Sequence, residues 1–144
     1  MDTSALDTAL LVWVKSCPLL RGRARLGYLG PRPGDVAVIA SPESQEVGDA
    51  FIDGTRRRRA DFALALTLPL SPDDDGVSQS SFRAVRAWMD WVNACSASGV
   101  YPDVGPDLAP YDLTVKSAAP QVVRYDDNGL AKFQFFVTLF YEEL

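Results

Sequence analysis

The segment LAKFQFFVTLFYE, residues 130–142, decides the fold, because its large side chains alternate between two faces. One face carries only apolar and aromatic residues, namely Phe133, Phe135, Val137, Leu139 and Tyr141. Successive side chains of a strand point to opposite faces, so the pattern predicts a long strand with one buried face. The other face is half polar, and we expect its two aromatic residues, Phe136 and Phe140, to be covered by another surface.

Residues 55–70 show the same period of two and predict a second long strand. Phe62, Leu64, Leu66 and Leu68 lie on one face, which we expect to be heavily buried. The opposite face carries Ala63, Ala65 and Thr67, and we expect it to be lightly covered. Shorter strands are predicted at residues 24–29, 36–40, 111–116 and 121–125. The Asn128-Gly129 pair indicates a hairpin turn before the last strand.

Two segments have the spacing of amphipathic helices. The first is capped by Thr3 or Ser4 and ends before Pro18, and its buried stripe is Leu6, Ala9, Leu10, Trp13 and Cys17. The second spans residues 78–98 and stops at Gly99. Its buried stripe is Phe82, Val85, Met89 and Val92, widened by Trp88 and Cys95. Trp91 lies to the side of this stripe, where we expect it to contact something other than the core.

The order of the elements is helix, strands, helix, strands, with irregular segments predicted at residues 41–53 and 100–110. This order is typical of the α+β class, in which helices cover one face of an antiparallel sheet. A chain of 144 residues fits one domain. We therefore predict a single α+β domain over residues 1–144, with two helices packed on one face of a mostly antiparallel sheet.

The composition excludes several functions. The chain has 19 acidic and 14 basic residues, a net charge of −5, and no histidine. A Ser-His-Asp triad, a His-ligated metal and an imidazole proton shuttle are therefore impossible within it. The glycines have neither of the spacings that cradle phosphates. We expect no catalytic residue, no metal and no cofactor, and an acidic protein is not typical of nucleic-acid binders.

The two cysteines, Cys17 and Cys95, both lie in apolar surroundings near predicted helix ends. We expect buried free thiols, because unpaired cysteine is among the most buried residue types. The longest apolar run, residues 9–14, is far too short to span a membrane, and the amino terminus has no basic region of a signal peptide. We expect a protein that is made in the cytosol and does not bind membranes.

The most unusual local feature is the run Arg56-Arg57-Arg58-Arg59, which alternates between the two faces of its strand. Three readings are open: a solvated strand end or edge, an ion-pair site between subunits, and a nucleic-acid contact. Residues 1–72 hold nine basic and eight acidic residues, whereas residues 73–144 hold five basic and eleven acidic ones. This asymmetry favours a head-to-tail contact between copies of the chain, of the kind that closes rings.

Asp73-Asp74-Asp75 looks like half of a calcium loop, but the ligand spacing and the terminal Glu of an EF-hand are missing. These acids are typical of a solvated loop, as are Asp126 and Asp127 in the last turn. The candidate residues for a subunit interface are Arg56, Arg57, Arg58, Arg59, Asp73, Asp74, Asp75, Trp91, Phe136 and Phe140.

The order of several segments resembles the small minor tail, or tail terminator, proteins of long-tailed bacteriophages. The segments are CPLL (17–20), LGYLG (26–30), DGT (53–55) leading into the charged strand, FRAVRAWMDW (82–91) and FQFFVTLFYE (133–142). The resemblance covers nearly the whole chain, although none of these segments is a diagnostic signature.

This resemblance implies a virion structural protein and not an enzyme. Such proteins are α+β subunits of a hexameric ring at the head-proximal end of the tail. The ring caps the tail tube, ends its polymerisation and joins it to the head connector. Its partners would be copies of itself, the tail tube protein and the connector or neck protein, and DNA would pass through without specific binding. Assembly would take place in the host cytoplasm.

Three other functions stay open at this point. One is a head-completion or neck protein on the portal side, which the position in a virion would distinguish. Another, from a different class, is a small enzyme or ligand-binding domain that uses carboxylates in a deep pocket. The last is a nucleic-acid contact through Arg56–Arg59, whose affinity would fall steeply with salt.

Overall fold

A computed structural model describes residues 3–46 and 56–144, with the side chains of residues 3–5 and 41–46 left out of the description. These described residues contain two helices and six strands. In chain order they are α1 (Thr3–Lys15), β1 (Ala24–Leu26), β2 (Val36–Glu46), β3 (Arg56–Pro69), α2 (Asp75–Ser98), β4 (Leu108–Val115), β5 (Gln121–Tyr125) and β6 (Leu130–Glu143). The predicted α+β class is confirmed.

The six strands form one sheet in which only β1 and β2 run parallel. The other pairs, β2 with β3, β3 with β6, and β6 with both β4 and β5, are antiparallel. Strand β3 occupies one side of β6 along its whole length, so β4 and β5 share the other side. Strand β5 lies beside the start of β6 and β4 beside its end, which leaves β1 at one edge and β4 and β5 at the other.

The two long alternating segments pair with each other at the centre of the sheet. The register places Leu64 opposite Phe135 and Leu66 opposite Phe133. Directly opposed residues of an antiparallel pair share a face, so the two apolar rows join into one surface. All five residues of the predicted apolar face of β6 are fully buried, which confirms the burial predicted from the alternation.

Both helices pack on this apolar surface. The predicted stripe of α1 is buried, and the Trp13 ring meets the Phe62 ring edge-on with 6.2 Å between centroids. On α2 the Phe82 ring meets Phe133 in the same way at 5.1 Å. One continuous core therefore forms between the helices and one face of the sheet.

Helix α2 begins three residues earlier than predicted because Asp74 caps it. The carboxylate of Asp74 accepts hydrogen bonds from the amides of Gly76 and Val77, at 3.0 and 3.3 Å. This satisfies two of the amides that a first helical turn leaves without partners. The predicted stop is confirmed, since Gly99 has a left-handed φ of 72°. The predicted cap of α1 by Thr3 or Ser4 lies outside the described side chains.

Two predicted loops are partly strand. Residues 41–46 extend β2, which pairs with Arg58–Ala60 beyond an irregularity between Ala40 and Ser44. Strand β4 begins at Leu108, three residues before the predicted start, because the end of β6 offers backbone partners there. Pro110 is tolerated next to an irregularity in an edge strand. Residues 47–55, including the predicted Asp53-Gly54 turn, lie outside the described residues.

The prediction that Ala63, Ala65 and Thr67 are lightly covered is wrong, because all three are buried. The segment between β1 and β2 folds over Thr67 and forms three hydrogen bonds with it. The Thr67 hydroxyl donates to the carbonyl of Gly30 at 2.7 Å, and the backbone of Thr67 bonds Gly34 and Asp35. Strand β1 also stops at Leu26, earlier than predicted, since Gly27 has a φ of 73°.

Candidate functional site

On the face of the sheet turned away from the helices, we call one group of residues the open face, because two of its members, Ile39 and Phe136, are exposed; the group is Ile39, Asp61, Ala63, Phe136, Thr138 and Phe140. The register aligns Ile39, Ala63 and Phe136 in one row across β2, β3 and β6. The small side chain of Ala63 lies between two large apolar ones, and Ile39 and Phe136 are 37% and 44% exposed. This places an exposed phenylalanine on a central strand, where sheets of soluble proteins usually carry polar residues.

The two aromatic residues predicted to need cover differ in their surroundings. Phe140 is half-buried, and its ring lies 6.2 Å from the ring of Tyr111. Phe136 has no aromatic neighbour among the described residues, although its amide donates to the hydroxyl of Ser117 at 2.9 Å. The described residues therefore cover Phe140 in part and leave Phe136 44% exposed.

A polar pair borders the apolar part of the open face. The buried hydroxyl of Thr138 donates to a carboxylate oxygen of Asp61 at 2.5 Å. The other oxygen of Asp61 lies 3.7 Å from the Arg59 guanidinium. These contacts hold Arg59 over the sheet, next to Phe140, with which it is paired in register.

The arginine run lies at the start of β3, in the centre of the sheet and not at its edge. Opposite it are the last residues of β6, with Arg57 aligned with Glu142 and Arg56 with Glu143. The Arg58 side chain forms an ion pair with Glu143. A strand edge does not describe Arg58 and Arg59, because β2 and β6 flank them on both sides. A solvated strand end does describe Arg56 and Arg57, which are exposed at the start of β3. The intersubunit role of the run stays a prediction.

Trp91 contacts the core of its own chain, which corrects the expectation that it points elsewhere. Its ring lies 4.6 Å from that of Trp13 and 5.8 Å from that of Trp88. Three indole rings thus join α1 to α2. The indole nitrogen of Trp13 also donates to the carbonyl of Val100 at 3.3 Å, which ties the end of α2 to this cluster.

The three aspartates that precede and start α2 are exposed. Asp74 has the capping role described above, and Asp75 lies in the first turn, where a negative charge is favourable. The local structure of this segment is explained without a ligand. Its part in a subunit contact stays a prediction.

A second group of arginines lies close together in the structure, at a position where the sequence predicted no site. Arg21, Arg23, Arg25 and Arg32 line a surface cavity of about 540 Å³ at the β1 edge, which we call the arginine pocket. The Arg25 guanidinium lies 5.5 Å from the centre of the Tyr28 ring, and Arg21 donates to the carbonyl of Pro18 at 3.0 Å. A signal was present in the sequence, since residues 21–25 carry arginine at every second position.

The arginine pocket is shaped by Asp35, which is only 4% exposed. Its two carboxylate oxygens accept hydrogen bonds from the backbone amides of Arg23 and Arg32, at 2.9 and 3.1 Å. A side chain at Gly22 or Gly30 would collide with this carboxylate. Asp35 therefore joins the two chain segments that carry the arginines, and glycine is required on both sides of it.

Cys17 and Cys95 are buried free thiols, as predicted. Burial raises the pKa of the Cys17 thiol above its ordinary value, and it does the same for Cys95. Since the thiolate is the nucleophile, neither side chain has the environment of a reactive cysteine.

No group of three or more acidic, cysteine or histidine side chains is placed to hold a metal ion within residues 3–46 and 56–144. In the same part of the chain, neither helix has the length and apolar character to cross a membrane. The sequence matches no protein-family model. No curated protein is similar to it.

Proposed function

We propose that this chain is a structural subunit of a bacteriophage tail: a tail terminator that assembles into a homohexameric ring. The observation that carries this proposal is the open face, where Phe136 and Ile39 lie in one exposed row on the sheet. Burying a large apolar side chain contributes roughly 1.5–3 kcal/mol, so a partner that covers both Phe136 and Ile39 gains from each of them.

Two further observations support an assembly role. The α+β architecture, with both helices on one face of the sheet, is the one that the resemblance to tail terminators implies. The charges are also unevenly distributed, with an excess of acids confined to residues 73–144. A subunit with exposed apolar residues on one sheet face and an uneven distribution of charge suits a ring, in which each copy meets two neighbours and a tube.

In this proposal the ring binds the head-proximal end of the tail tube, ends its polymerisation and provides the joint to the head connector. The role is structural and not catalytic. The open face is the surface we assign to the tube or to a neighbouring subunit, because residues 3–46 and 56–144, as the structure describes them, leave Phe136 exposed. A neck position on the portal side is distinguished from this one by where the protein lies in the virion.

The experiment that tests the proposal compares the wild type with Phe136→Asp. We expect the wild type to form a hexamer in solution or on tail tubes, measured by mass photometry and electron microscopy. The variant should lose the ring or its place on the tube, with an unchanged circular dichroism spectrum, because it puts a charge on the open face. The matched control is Val12→Asp, a residue of α1 that is 63% exposed, which should assemble normally. Equal assembly of both variants would contradict the role of the open face.

A further inference from the structure

The two edge strands β1 and β5 lie at the same position along the strand direction of the sheet. In the register of β2, β3 and β6, Val36, Leu66 and Phe133 form one row. Ala24 of β1 is paired with Val36, and Val122 of β5 is paired with Phe133. The row therefore runs from one edge to the other, and β1 and β5 lie at the same height along the strands.

The β1 edge is basic. Residues 21–34 contain four arginines and no acidic residue, and all four arginines line the arginine pocket. Asp35, its one acidic lining residue, is already bonded by two backbone amides. No ion pair holds Arg23, Arg25 or Arg32 within the described part of the chain. The pocket therefore has four guanidinium groups and one carboxylate that is already bonded. Guanidinium groups bind carboxylates through two parallel hydrogen bonds, so the pocket suits further carboxylates.

The β5 edge ends in an acidic turn. The turn at residues 126–129 carries Asp126 and Asp127 and no basic residue. Asp126 lies 3.2 Å from the Arg124 guanidinium, which it neutralises. Asp127 is exposed, and its carboxylate has no partner among the described residues.

Exposed apolar side chains accompany the charges at both edges. Leu26 and Tyr28 lie at the β1 edge, and Tyr28 is 56% exposed. Val122, Val123 and Tyr125 are exposed along β5. Each edge therefore offers apolar contact area next to a charged group: the arginines of the pocket at β1, and the exposed Asp127 carboxylate, next to the Arg124–Asp126 ion pair, at β5.

We propose that the arginine pocket of one copy receives the Asp126–Asp127 turn of a second copy, so that subunits join edge to edge, head to tail. The inference rests on the proposed ring-forming function and names the two surfaces of its contact. Rotation about an axis along the strands keeps every residue at its own height. Two surfaces at the same height can therefore meet without an offset along this axis, which a heterologous contact needs if it is to close into a ring instead of a helix.

Charge reversal tests this contact directly. One variant, Arg23→Glu with Arg25→Glu, reverses the pocket, and another, Asp126→Lys with Asp127→Lys, reverses the turn. We expect each variant alone to assemble at least tenfold more weakly than the wild type in native mass spectrometry. Mixed in equal amounts, they should form hexamers of three copies each, because in alternating order every contact then pairs opposite charges.

The matched controls carry equal changes of charge elsewhere on the surface. Arg83→Glu with Arg86→Glu and Asp90→Lys with Asp107→Lys change exposed side chains of α2 and of the segment before β4. Both controls should assemble as the wild type does. If the ring forms only on tail tubes, the fraction of capped tubes replaces the mass measurement.

The outcomes separate this inference from the proposed function. A wild type that forms rings, together with reversed variants that assemble as the controls do, would overturn the edge contact and leave the ring proposal standing. Reversed variants that stay monomeric when mixed would also overturn it, since the pocket and the turn would then not meet. A wild type that forms no ring, alone or on tubes, would contradict the proposed function itself.

Discussion

The buried carboxylate of Asp35 holds the arginine pocket together. It accepts hydrogen bonds from the backbone amides of Arg23 and Arg32, and it is nearly inaccessible to solvent. Hydrogen bonds to a charged group are worth about 1.5–3 kcal/mol, and a buried donor left without a partner costs about 1–3 kcal/mol. The position of the arginines thus depends on a buried residue whose carboxylate is already engaged by two backbone amides.

We expect Asp35→Ala to lower the free energy of unfolding by about 2–4 kcal/mol, because it leaves two amides without their acceptor. Asp35→Asn should cost less, since its carbonyl oxygen still accepts one of the bonds. Urea denaturation of both variants measures the difference. Equal stability of wild type and Asp35→Ala would show that the carboxylate does not hold these segments.

The two buried cysteines lead to a prediction about pH. Burial raises the thiol pKa of Cys17 and Cys95 in the folded state above the ordinary value of 9.0. Well below pH 9.0 the thiols are neutral in both the folded and the unfolded chain, so their ionisation does not change the free energy of unfolding. As the pH rises past 9.0 the unfolded chain ionises first, so the free energy of unfolding falls until the folded thiols ionise as well.

The measurement is urea unfolding between pH 7 and pH 10. The control is the double variant that combines Cys17→Ala and Cys95→Ala. The control is less stable at every pH because two buried side chains are shortened. Its stability should nevertheless fall less steeply above pH 9 than that of the wild type. Parallel pH profiles would contradict a burial effect on the thiols.

Among the elements, α2 has both of its ends determined by single residues. Asp74 provides the acceptor for two first-turn amides, and Gly99 supplies the left-handed conformation after the last turn. We expect Asp74→Ala to cost about 1 kcal/mol, the usual value of an amino-terminal cap. Asp73→Ala removes a neighbouring exposed carboxylate without a capping bond and should cost much less. Thermal unfolding compares the two, and equal losses would mean that charge, not capping, matters here.

The strands show where sequence reasoning succeeds and where it stops. Burial of Phe133, Phe135 and Val137 follows from alternation alone, since the period of two is a local property. The extension of β2 to Glu46 and the early start of β4 depend on the backbone partners that β3 and β6 offer. These partners are not visible in the segments themselves.

The same limit applies to the arginine pocket. Alternation places Arg21, Arg23 and Arg25 together, but only the fold shows that β1 is an edge strand and that Arg32 returns to it through Asp35. Conversely, the run at 56–59 is prominent in the sequence, yet Arg58 pairs with Glu143 of its own chain. Charge runs are visible in sequence, whereas their partners depend on long-range register.

The different environments of Arg57 and Arg59 decide which substitution can test the arginine run. The sequence suggests changing both to Glu to test a subunit contact. In the structure Arg59 is half-buried beside Asp61, so Arg59→Glu would place two carboxylates together and disturb the fold. Arg57 is exposed, which makes Arg57→Glu the cleaner probe of the arginine run.

The whole molecule combines a sheet face covered by the helices, the open face, and two edges that carry the arginine pocket and the Asp126–Asp127 turn. The helices bury the apolar sides of β3 and β6, while Phe136 and Ile39 face outward. The edges lie at equal height, with the arginine pocket at one and the Asp126–Asp127 turn at the other. The proposed function assigns these surfaces to contacts with copies of the chain and with a tail tube.

The most direct test is electron microscopy of purified tails that contain this chain, labelled by an antibody or a fused tag. The proposed function requires a closed sixfold ring at the head-proximal end, and overlong tubes when the chain is absent. A chain that stays monomeric and is found at no tail end, with tube length unchanged by its absence, would contradict it.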